Sequence, residues 1–76
     1  MASLGAADHG VVGQVGRVTG LVAPDTVGEV TIPVRGGSET FHAYPADGEE
    51  ILVPGTRVVV LDYEPPRTVT ITRMSY

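Results

Sequence analysis

Residues 11–34 read VVGQVGRVTGLVAPDTVGEVTIPV, two Val-rich runs punctuated by Gly13, Gly16, Gly20, Pro24 and Gly28. Valine is β-branched and fits a pleated, half-buried surface better than a helix. The same grammar recurs in residues 55–61 and 67–72. Five short strands within 76 residues leave room for little beyond a small closed β-barrel.

The first run is read as a long strand over about residues 11–23, with Gly16, Val18, Gly20 and Val22 inward and Arg17, Thr19 and Leu21 on the other side. Glycines inside a strand mark bends, bulges or close backbone approach, as a first strand serving two sides of a barrel requires. Pro24-Asp25 opens a turn, because proline presets φ and aspartate bonds its own backbone. The second strand covers about residues 27–34, with Val30, Ile32 and Val34 alternating with polar neighbours. Pro33 has no N–H to donate and belongs at an edge or a bulge. Gly36-Gly37 makes a tight hairpin into strand three, residues 39–44, with Phe41 and Ala43 inward. In the loop that follows, Ile51 and Val53 are expected to plug a barrel end, and at most one helical turn forms there. Strand four, residues 57–63, carries the run VVVL, whose continuity reads as a central strand. Pro65-Pro66 closes the last hairpin, and strand five, residues 67–73, points Val69 and Ile71 inward. Residues 1–10 are small and aperiodic and read as a disordered lead-in, a linker or an expression scar, so the barrel domain is placed at residues 11–74.

Composition narrows the function. The chain has no cysteine, so it holds neither disulfide nor thiolate metal site. It has no lysine, and its five cations are Arg17, Arg35, Arg57, Arg67 and Arg73, against a net charge of −4. Nucleic-acid binding draws affinity from a clustered basic face, so this balance argues against it. No signal peptide and no run of 18 apolar residues is visible.

The ordered pattern Gly13-x-x-Gly16-x-Val18, Val22-x-Pro24 and Gly28-x-Val30-x-Ile32, followed by Phe41-x-Ala43, Ile51, Gly55-x-x-Val58-x-Val60 and Val69-x-Ile71, resembles the C-terminal domain of NfeD-like proteins over residues 12–73. The resemblance implies an all-β fold, a five-stranded OB-type Greek-key barrel with little or no helix. It implies a domain on the cytoplasmic side of a membrane, tethered behind transmembrane helices. It also implies a partner of the stomatin or flotillin type and a role in membrane organisation or membrane-protein quality control. The chain carries no tether, so it reads as an excised domain or a soluble relative. Longer relatives carry a serine protease domain, which nothing here matches. Two departures stand out: Asp25-Thr26-Val27 lengthen the usual Pro-x-Gly turn, and Gly20 stands where the family often has threonine.

Candidate chemistry is sparse. His9 and His42 are far apart and read as surface imidazoles rather than metal ligands. Asp47, Glu49 and Glu50 lack the spacing of a calcium loop. Ser3, Ser38 and Ser75 have no nucleophile motif around them, and neither GRVTG nor GGSET is a phosphate loop. The expectation is no enzyme, no cofactor, no metal and no small-molecule substrate. An enzymatic reading would need a hidden site built from Asp62, Glu64 and His42. An oligonucleotide platform of Arg35, Phe41, His42 and Tyr44 is the alternative, with Phe41 as core and Tyr44 as a barrel-end cap the plainer reading. The remaining class is protein interaction, including self-association. Its surface is expected among Leu21, Arg35, His42, Tyr44, Leu52 and Leu61, with Val12 beside them, and Pro33 or strand five offers an edge for strand addition.

Overall fold

The alternating runs become five strands: β1 Val15–Gly20, β2 Gly28–Val34, β3 Gly37–Pro45, β4 Arg57–Glu64 and β5 Thr68–Arg73. The computed structural model describes residues 10–34, 36–48 and 50–74. Arg35, Glu49, His9, Ser75 and nearly all of the expected lead-in lie outside the described residues. The strands close into a barrel in the order β1-β2-β3-β5-β4, the last strand pairing back onto β1. All ladders are antiparallel except β3–β5, which is parallel. Closure leaves no open sheet edge along these ladders, so the expected edge for strand addition at β5 is occupied on both sides, by β3 and β4. Pro33 pairs with Ser38 of β3, and it lies past Thr31, where the β1–β2 ladder ends.

Period-two burial on every strand builds the interior. Val18, Val22, Val30, Ile32, Phe41, Ala43, Leu52, Val58, Val60, Val69 and Ile71 form one aliphatic core with a single aromatic ring. Among the described residues no polar or charged side chain is buried. The core therefore owes its stability to apolar burial alone. β4 does not bury its whole VVVL run. Val58 and Val60 are inside, Val59 is half-buried and Leu61 is exposed. A closed barrel has one interior, so even its most apolar strand shows alternate residues to water.

Two bulges give the barrel its curvature, one in β1 between Val18 and Gly20 and one in β4 between Val60 and Asp62. Beyond Gly20 the chain leaves the ladder and makes the turn Ala23–Thr26, bonded in both directions with Pro24 and Asp25 at its tip. That lengthened turn brings Gly28 against the strand it left. A Cβ there would lie 2.5 Å from the Leu21 carbonyl oxygen, 2.7 Å from that of Gly20 and closer still to a Val22 methyl. Only glycine fits. Across the barrel, Val34 pairs with Gly37, and Gly36 between them has φ +84°, the left-handed region that glycine enters without a Cβ clash.

The β3–β4 connection corrects the expected plug. Leu52 is fully buried, whereas Ile51 and Val53 are 56% and 55% exposed. The reason is backbone pairing. Leu52 N–H donates to the Val22 carbonyl at 2.8 Å and Val22 N–H donates to that of Leu52 at 3.0 Å. This single antiparallel bridge turns both residues inward and both sets of neighbours outward. At another place on the barrel wall, Tyr63 packs edge-on against Phe41 with ring centroids 6.1 Å apart, and its hydroxyl donates to the Pro66 carbonyl at 3.0 Å. The Arg67 guanidinium stands 5.7 Å from the Phe41 ring centroid and donates to the Thr40 carbonyl.

Candidate functional site

The residues expected to share one interaction surface fall into separate groups. Leu52 leaves the set, because it belongs to the core. Arg35 lies outside the described residues. Leu21 flanks the Val22–Leu52 bridge, and in an antiparallel bridge its cross-strand neighbour is Val53, with Ala23 opposite Ile51. Val27 follows Thr26, which is itself bridged to Ala23. Leu21, Val27, Ile51 and Val53 are all exposed, so one end of the barrel carries an apolar surface around a buried bridge. Sequence reading placed Leu21 on this surface. It missed Ile51 and Val53, because the bridge that sets their phase joins residues thirty apart in the chain.

Tyr44 and Leu61 lie elsewhere. Tyr44 pairs with Thr70 of β5, which pairs with Asp62 of β4, and Leu61 sits in the bulge beside Asp62. Val12 approaches the same strand, since Gly13 N–H donates to the Val60 carbonyl. His42 lies in the next row, between Glu29 on β2 and Thr68 on β5, and Thr68 pairs with Glu64. Phe41 is core, 3% exposed, rather than part of a platform. A base stacked on Tyr44 and His42 would bring its phosphates past Glu29, Asp62 and Glu64, three exposed carboxylates. That face repels a polyanion.

The same rows separate the groups of a hidden acid–base site. His42 and Glu64 stand two strands apart, about 10 Å across the sheet. The Asp62 carboxylate accepts from the Tyr63 backbone N–H at 2.9 Å. No group of three His, Asp or Glu side chains among the described residues is arranged to hold a metal ion.

The opposite character appears on the outer wall formed by β1, β2 and the start of β4. Arg17 of β1 is directly paired with Arg57 of β4 and with Thr31 of β2. These side chains border a groove of about 450 Å³ together with Val15, Pro33 and Ser38.

A strand order of β1-β2-β3-β5-β4, closed by β1 against β4 and with one parallel pair, defines a five-stranded OB-type barrel. Residues 15–72 match the NfeD C-terminal domain family, and the chain belongs to that family. Among solved structures it is similar to the solution structure of the soluble domain of the NfeD protein YuaF from Bacillus subtilis. That likeness has 28% sequence identity and a TM-score of 0.79, and it covers 99% of this chain and 87% of the other. No curated protein sequence matched the chain. The lengthened turn after Pro24 and the glycine at position 20 are thus accommodated within the family's barrel. Among the described residues no helix is long and apolar enough to cross a membrane.

Proposed function

We propose that this barrel is a non-enzymatic interaction or assembly module of a membrane-associated NfeD-like protein. It works on the cytoplasmic side of the membrane, and its partner is a membrane protein of the stomatin or flotillin type. The observation that carries this reading is the apolar end around the Val22–Leu52 bridge, where Leu21, Val27, Ile51 and Val53 face outward. Aliphatic side chains gathered at one end of a small domain gain about 25 cal/mol for each Å² they bury against a partner. The bridge beneath them is hydrogen-bonded in both directions, which ties the two segments together before contact and limits the ordering cost of binding. Family membership supports the setting, and the unburied, separated polar groups support a role without catalysis.

The test is a titration of the purified domain with the cytosolic core of a stomatin-type protein from the same organism, followed by amide chemical shifts. Saturable shifts at residues 21, 27 and 51–53, abolished by Leu21→Asp and Val53→Asp with the fold intact by circular dichroism, are expected. Binding that both variants leave unchanged, or no binding to stomatin- or flotillin-type cores at all, overturns the reading.

A further inference from the structure

Four arginines lie among the described residues, and they divide into two pairs. Arg67 is 3.6 Å from the Glu39 carboxylate, and Arg73 is 3.3 Å from that of Glu50. Arg17 and Arg57 have no carboxylate partner among the described residues. They are nevertheless direct cross-strand neighbours on the outer face of the barrel. Directly opposed residues of an antiparallel pair hold their Cβ atoms about 5 Å apart, and like charges so placed are destabilising. A domain of net charge −4 thus sets two of its few cations side by side on one wall, with no acid between them.

The surroundings give that pair a shape. Arg17 also pairs with Thr31, whose hydroxyl lies 3.5 Å from that of Thr40, so a row of donors runs across β4, β1, β2 and β3. Val15 and Pro33 supply apolar walls, and Ser38 adds a third hydroxyl. The groove of about 450 Å³ falls within the range of ligand sites. None of its lining side chains is acidic or aromatic. Guanidinium groups match carboxylates and phosphates equally well in geometry. Nucleic acid, however, needs stacking rings or a longer basic track, and the groove offers two arginines and no ring.

We propose that the groove between β1, β2 and the start of β4 binds a carboxylate-bearing peptide segment, with Arg17 and Arg57 holding its carboxylates and the Val15 and Pro33 walls taking its aliphatic side chains. Its lining residues differ from those of the apolar end, which it approaches at Thr19, two residues before Leu21, so one barrel would engage an acidic segment and an apolar surface side by side.

The experiment uses the whole chain labelled with ¹⁵N at low salt. The probes are a blocked hexapeptide of alternating glutamate and valine, hexathymidylate and inorganic phosphate. The peptide is expected to give saturable shifts at residues 15–19, 31, 32, 38 and 57 that fade as sodium chloride is raised. Arg17→Gln and Arg57→Gln each weaken the peptide several-fold and together roughly tenfold, as two exposed charge contacts would. Three results overturn the proposal: no saturable shift with the peptide, hexathymidylate binding more tightly than the peptide, or phosphate alone reproducing the peptide's shifts and affinity. Failure here leaves the apolar-end reading standing, because that surface reports through residues 21, 27 and 51–53.

Discussion

Leu52 offers the sharpest test of how this barrel is closed. Its side chain is fully buried, while Ile51 and Val53 on either side are more than half exposed. Leu52→Ala removes three carbons from the core. At about 0.8 kcal/mol per buried methylene, the lost transfer energy is about 2.4 kcal/mol. The cavity adds to this, because the walls around it belong to closed strands that cannot collapse inward, giving a total of about 3 kcal/mol. A domain of this size holds roughly 4–11 kcal/mol in all, so the loss is a large fraction of its stability. Ile51→Ala and Val53→Ala each change stability by less than about 0.5 kcal/mol. The backbone bridge to Val22 survives all three substitutions, so the series isolates the side chains. Urea unfolding followed by far-ultraviolet circular dichroism measures it, with unchanged slopes and a shifted midpoint only for Leu52→Ala. If Ile51→Ala or Val53→Ala costs more than Leu52→Ala, the phase of the bridge is wrong and the apolar end must be redrawn.

Gly28→Ala drives a methyl into two carbonyl oxygens and Val22, and is expected to lower stability by about 2 kcal/mol or more in the same urea assay. Gly48→Ala is its control, since a Cβ there meets nothing within 4 Å, and it should stay within about 0.5 kcal/mol of the parent. Tyr63→Phe keeps the edge-on contact with Phe41 and loses only the bond to the Pro66 carbonyl, so thermal unfolding should report a loss of about 0.5–1 kcal/mol.

Much of the barrel is legible along the chain because period two is a local property. Val30 and Ile32, Phe41 and Ala43, and Val69 and Ile71 all point inward as their alternation predicts. Pro24-Asp25 sits at the tip of its turn for reasons contained in those two residues. Reading fails where a residue's phase is set by a distant partner. The loop 46–56 has too few strand residues to carry its own alternation, so only the bond to Val22 decides that Leu52 goes in. The VVVL run misleads for a related reason: continuity signals burial on two faces only where a second layer covers the sheet, and among the described residues none covers Leu61.

The candidate surfaces follow the same division. Leu21 stands out as apolar on the polar side of its strand, and exposure is all that sequence can assign to it. Its gathering with Val27, Ile51 and Val53 needs the bridge. Arg17 and Arg57 are forty residues apart, and nothing near either marks them as a pair. They meet only because β1 closes the barrel against β4.

The sequence by itself determined the strand content, the inward residues of β2, β3 and β5 and the family, since each rests on local alternation, turn chemistry and the order of glycines. The tertiary structure alone decided which loop residue seals the barrel, where the apolar end lies and which arginines share a groove. Those outcomes depend on closure, which pairs residues that no local rule connects.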